Sequence, residues 1–139
     1  MRLWHVDLIE YLPRQQLLGQ WRELCAIARG IAINGTPGHV LVNPVMNWPI
    51  EHLYSYAHIV HREILRRGYR ASFGSFAKWL ALEPGADLPE RPYRGWHTLR
   101  YLRQCLYNLQ EKADRGAIGY DEWKPLEEIL DELPEEEER

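Results

Sequence analysis

Apolar residues return every three or four positions in three separate stretches of the chain, a period that an α-helix buries on one face and that a strand, with side chains alternating sides, does not. Residues 14–29 put Leu17, Leu18, Trp21, Leu24, Cys25 and Ala28 on one stripe, with Pro13 as a start signal and Gly30 as a stop. The opposite face carries Arg14, Arg22, Glu23 and Arg29. A second helix is expected to begin after Pro49 and run to Arg67, with Leu53, Tyr56, Ala57, Val60, Ile64 and Leu65 on its stripe and Gly68 ending it. A third, from about His97 to Arg115, carries Leu99, Leu102, Leu106 and Leu109.

Between the first two helices, residues 30–49 are dense in Gly, Asn and Pro and read as a loop crossing. Residues 69–95 hold a short helical piece around Phe73–Leu82 and then a Pro/Gly-rich connection, and Glu122–Leu133 holds one more possible turn of helix. The spacing predicts an all-α fold, a single compact domain of three principal helices with a long irregular crossing after the first. With 139 residues, 45% of them hydrophobic, the chain suffices for one core and leaves little room for a second.

The formal charge of −3 is unevenly spread. Residues 121–139 carry ten acids against Lys124 and Arg139, an acidic tail of −8, which leaves fifteen bases and ten acids in residues 1–120, a body of about +5. Such a body suits a phosphate backbone, and it equally suits an ordinary solvated surface. Six Trp and eight Tyr against two Phe give aromatic surface with a polar edge, fit either for hydrogen bonding in a core or for stacking on bases. Cys25 and Cys105 lie far apart with no secretory signal before them, so a reducing cytoplasm is expected. No apolar run approaches the roughly 20 residues of a membrane span. A soluble protein with no membrane partner is expected.

Three segments carry a resemblance. The opening MRLWHVDLIEYLPRQQLLGQWREL, aligned through Leu8, Leu12, Gln15, Leu17 and Arg22-Glu23-Leu24, is similar to the start of the phage pyrimidine-dimer glycosylase/AP lyase family, the endonuclease V-like enzymes. Gly38-His39-Val40 matches a loop tripeptide of that family, and Leu65-Arg66-Arg67-Gly68-Tyr69 matches its Leu-Lys-Arg-Gly-aromatic helix end. The opening resembles more closely a bacterial branch marked by WHxDLIxxLPRQQLLGQxRE. The likeness covers residues 1–70 and fades beyond them.

What the resemblance implies is a DNA-repair enzyme in which the chain's own α-amine attacks C1′ of a damaged nucleotide, the base leaves, a Schiff base forms, and β-elimination cuts the strand. An α-amine titrates near 7.7–8.0, far below the roughly 10.4 of a lysine, and needs no burial to be partly neutral at physiological pH. The family's glutamate falls on Glu23, a carboxylate that can stabilise positive charge on the sugar and move protons. Arg2, as second residue, ordinarily prevents removal of the methionine, so Met1 supplies the amine and one residue is added between it and Glu23. Arg2, Arg14, Arg22, Arg29 and His39 are the expected DNA contacts, with Arg66 and Arg67 extending the basic face. A family arginine falls on Ala26, and Arg29, one turn onward, is its candidate substitute. The expected partner is double-stranded DNA with damaged bases or abasic sites, met by a monomer that needs no cofactor and no metal.

Two other readings stay open at this point. His58 and His61, at i and i+3, have a spacing that can bind a metal, but no HExxH or CxxC accompanies them, and a groove-lining or core hydrogen-bonding role is the alternative. Trp21, on a helical stripe, reads as core, whereas Trp48 and Trp96, among prolines and glycines, are better placed to stack on an unstacked base. The functional alternative to an enzyme is a non-catalytic helical DNA-binding or interaction module that keeps the fold.

Overall fold

A computed structural model describes residues 1–135. The N-terminal residues run extended into a 3-10 turn, Val6–Tyr11, followed by α1 (Arg14–Asn34), a second 3-10 turn (Asn43–Asn47), α2 (Ile50–Arg66), the single turn α3 (Gly74–Ala77), α4 (Leu99–Asp114) and α5 (Tyr120–Glu132). Among the described residues there is no strand, and no helix is long and apolar enough to cross a membrane. The three principal helices, α1, α2 and α4, and the irregular crossing after the first stand where the periodicity puts them.

The first helix does not stop at Gly30. It continues to Asn34 and is capped by Gly35 in the left-handed conformation, φ 77°, whose N–H bonds the Ile31 carbonyl. Gly30 serves a different purpose: a Cβ there would meet the Thr36 carbonyl oxygen at 3.1 Å and Pro37 Cα at 3.4 Å, so the returning loop packs directly on the helix backbone. The second helix ends as expected at Gly68, φ 84°, where Tyr69 N–H bonds Ile64 O and Gly68 N–H bonds Leu65 O, a Schellman arrangement. Leu65 departs from the expected stripe and is exposed.

Arg66 and Arg67 are not a free basic edge. Both hold the buried Glu63 carboxylate, and Arg67 Nη1 also bonds the Leu12 carbonyl at 2.7 Å and, through Nη2, that of Glu10 at 3.2 Å. Burial raises the Glu63 pKa, but the hydrogen bonds from Arg66 and Arg67 outweigh it and leave the carboxyl below its usual range. The Leu-Arg-Arg-Gly-Tyr segment thus ties the end of α2 to the end of the first 3-10 turn.

Helix α1 packs on α2 and α3, and α4 packs on α5. Trp123 and Leu126 of α5 are buried, and Glu122 Oε2 accepts the Arg14 backbone N–H at 2.8 Å, covering one of the donors that the start of α1 leaves unpaired. The Arg103 guanidinium donates to the Pro134 carbonyl. Beyond Glu135 the acidic run lies outside the described residues.

The N-terminal segment itself runs through the middle of the core. Leu3, Trp4 and His5 are buried, and each burial of a large apolar side chain contributes about 1.5–3 kcal/mol. Its backbone is pinned by side chains from three directions: Gln20 on α1, Tyr56 on α2, and Tyr101 with His97 at the start of α4. His97 Nδ1 accepts the Val6 N–H at 2.9 Å and its ring lies 5.1 Å from that of His5, among Tyr56, Tyr93, Trp96 and Tyr101, with Asp7 and its partner Arg91 nearby. Burial, reinforced by His5 and Arg91, pushes the His97 pKa down to about 3.

A histidine whose folded pKa is depressed takes up its proton in the unfolded chain first, so stability is lost as pH falls from about 6.5 toward 3, by up to about 1.4 kcal/mol per pH unit. His5, lowered first by burial, acts with the same sign. Chemical denaturation is expected to show about 2 kcal/mol less stability at pH 5 than at pH 6.5, and a shallower pH slope in His97→Asn. Equal stability at both pH values would show that the ring is not held neutral by the fold.

Candidate active site

Gln20 occupies a position that the apolar stripe of α1 would otherwise fill, and its amide meets four partners. Its Oε1 accepts the Trp4 N–H at 2.7 Å, and the Tyr56 hydroxyl stands 2.8 Å from that same oxygen and 2.5 Å from the Trp4 carbonyl oxygen. Its Nε2 donates to the Arg2 carbonyl at 2.9 Å and to Glu23 Oε2 at 3.2 Å. Buried amides left unpaired cost about 1–3 kcal/mol, and here each donor and acceptor of the side chain is engaged. The Tyr101 hydroxyl donates to the Leu3 carbonyl at 2.5 Å from the α4 side.

This pinning carries the first residues along α1 to Glu23. The Arg2 N–H approaches Glu23 Oε2 at 3.4 Å, and Met1, Arg2, Trp4 and Glu23 line one pocket of about 220 Å³ together with Leu41, Asn108 and Lys112. Met1 is exposed and Glu23 half-buried, so one wall opens to solvent and the carboxylate faces it. An amine and a carboxylate lining one solvent-open pocket are residue types able to supply a nucleophile and a proton-transfer group.

The pocket opens into a groove of about 530 Å³ that shares Arg2, Leu41 and Asn108 with it and continues past Val40, Trp96, Arg100 and Tyr101. Trp48 and Trp96 stack on each other with ring centroids 5.8 Å apart, against Tyr93, so Trp48 faces protein, and Trp96 borders the groove. Trp21 is buried against His61, Phe73 and Phe76.

The remaining sequence candidates lie around this centre and not in it. Arg14 and Arg22 line a separate surface depression of about 760 Å³ with Glu122, and Arg14 also lies over the Tyr69 ring at 5.1 Å. Arg29 lies over Trp79 at 5.8 Å. His39 shapes the crossing: its Nδ1 accepts the Leu41 N–H at 3.2 Å, its carbonyl accepts the Val42 and Asn43 N–H groups, and the neighbouring Leu41 reaches the pocket. His58 stacks on Phe73 and His61 Nε2 pairs with the Ala71 carbonyl oxygen. Among the described residues no three His, Cys, Asp or Glu side chains are grouped to hold a metal.

Sequence reading alone did not single out Gln20, Tyr56 as a hydrogen-bond donor, Tyr101, Asn108 or Lys112. A polar residue on the buried face of an amphipathic helix was the one available signal, and it pointed to Gln20. The α4 residues had none, because their approach to Met1 is made only by packing.

Residues 1–74, more than half of the chain, match the family model described as pyrimidine dimer DNA glycosylase. They span the N-terminal segment, α1, the crossing and α2, which hold Met1, Gln20, Glu23, His39 and Tyr56; α4 lies outside the match. No curated protein and no solved structure matches the chain. With the match covering more than half of the chain, Met1, Gln20, Glu23 and Tyr56 included, the chain belongs to the pyrimidine dimer DNA glycosylase family.

Proposed function

We propose that this protein is a DNA-repair glycosylase/AP lyase that excises a damaged pyrimidine, a pyrimidine dimer by its family, through a Schiff base to the Met1 amine. The observation that carries the reading is the shared pocket of Met1 and Glu23, formed by an N-terminal segment whose backbone is hydrogen-bonded in place. In the first step the neutral amine attacks C1′, and the glycosidic bond breaks with its electron pair leaving on the base, which takes up a proton. The attached nitrogen, cationic after the attack, loses one proton; the C1′–O4′ bond then breaks, the ring oxygen keeping the electron pair and taking up a proton, and loss of the second N–H proton leaves the imine. Removal of a C2′ proton then expels the 3′ phosphate oxygen, and water hydrolyses the imine to restore the amine. In this reading Glu23 stabilises the cationic sugar and relays these protons.

Double-stranded DNA is the partner, with Arg2 and Arg100 along the groove and Arg14 and Arg22 on α1 as phosphate contacts, and Arg29 and His39 in supporting places. Borohydride reduction in the presence of abasic-site DNA tests the chemistry. The expected result is a covalent adduct that mass spectrometry places on Met1. No adduct, or an adduct confined to Lys112, which lines the same pocket, sinks the assignment of the α-amine.

A further inference from the structure

We infer that Gln20 is the positioning residue that sets the Met1 amine against Glu23. The inference rests on the proposed amine chemistry and adds to it the side chain that holds the two reacting groups in register. The amide's orientation follows from its partners. The Trp4 N–H can only donate, so the atom 2.7 Å from it is Oε1, and Nε2 must face the Arg2 carbonyl and Glu23. The two amide hydrogens therefore join the backbone one residue from the amine to the carboxylate itself. The one other hydrogen bond between the segment and Glu23 among the described residues is the longer one from the Arg2 N–H, at 3.4 Å to the same Oε2.

The identity of the side chain matters on both sides. A glutamate at this position could accept from Trp4 and Tyr56 but could donate to neither Arg2 nor Glu23, and it would set a second carboxylate about 3 Å from the first, where both resist ionising together. An apolar side chain of the same length would fill the volume and leave the N-terminal segment held by Tyr56, Tyr101 and His97, while leaving Glu23 tied to it by the 3.4 Å Arg2 N–H contact alone. Gln20 thus separates docking of the segment, which several residues share, from alignment of the amine with the carboxylate, in which it fixes both the Arg2 carbonyl and the Glu23 oxygen that the Arg2 N–H also reaches.

The test compares Q20M and Q20E with the wild type in borohydride trapping on abasic-site DNA and in kcat and KM measured across pH, with thermal unfolding of each variant. Trapping at Met1 in the wild type fixes the underlying chemistry independently; its absence overturns that reading and this inference together. Given the adduct, Q20M is expected to lower kcat about a hundredfold, the cost of a misalignment near 1 Å, with KM for DNA within about threefold of wild type. Q20E is expected to move the acid limb of the pH profile up by about one unit or more, which a purely structural defect would not do. Should Q20M fail to fold, the Q20E profile carries the test. A Q20E profile that superimposes on the wild type, or an undiminished kcat in folded Q20M, overturns the positioning role while leaving the amine chemistry standing.

Discussion

Acetylating the Met1 amine, or leaving even a short extension ahead of it, is expected to abolish strand cleavage at abasic sites while thermal unfolding stays at its wild-type midpoint. The separation of the two effects follows from where Met1 sits. It is exposed, so added atoms can leave toward solvent without disturbing Leu3, Trp4 and His5, which are buried and held by their own hydrogen bonds. Chemically, an acylated nitrogen has its lone pair delocalised into the carbonyl and cannot form an imine, so the loss should be complete and not partial. Cleavage of abasic-site DNA by the blocked protein, measured beside the free protein, is the readout. Full activity in the blocked form would move the nucleophile elsewhere, to Lys112 first, since it shares the pocket.

Glu23→Gln is expected to lower turnover about a thousandfold, the size of a lost general acid–base group, while DNA affinity holds or tightens. The substitution is conservative for the fold. Both hydrogen bonds to the side chain, from the Arg2 N–H and from Gln20 Nε2, arrive at Oε2, and an amide oxygen in that place accepts both. What is removed is the negative charge and the capacity to take and give a proton. DNA affinity does not require that charge, which stands beside the groove where phosphates are expected and opposes their binding. Single-turnover kinetics with saturating enzyme separates chemistry from binding, and an unchanged rate would remove Glu23 from the reaction. Together the blocked amine, the Glu23 substitution and the Gln20 pair divide the proposed site into nucleophile, proton carrier and alignment.

The helices were legible in the sequence because their apolar spacing is a local property. Leu17, Trp21, Leu24 and Ala28, or Leu102, Leu106 and Leu109, repeat at the helical period whatever surrounds them, and burial of those positions follows from it. Gly30 misled for a physical reason: glycine ends helices when it takes a left-handed conformation, but it also permits close approach of another backbone, and the two uses look alike in one dimension. The pair Arg66 and Arg67 misled similarly, since a basic dipeptide at a helix end does not reveal that a buried Glu63 and the carbonyls of the first 3-10 turn are waiting for it.

By itself the sequence determined the all-helical fold and the long crossing, and likeness of order and spacing over the first seventy residues nominated the amine and Glu23 for the proposed chemistry. Only the tertiary structure decided that Met1 and Glu23 line one pocket. That shared pocket depends on a segment threaded through the core, on Gln20 and Tyr56 from different helices reaching the same few peptide groups, and on α4 closing it with Asn108 and Lys112. Apart from Gln20 and Glu23, neighbours on one turn of α1, such contacts join residues from 16 to 98 positions apart along the chain, and hydrogen bonding over that range is set by packing geometry, which no local periodicity encodes.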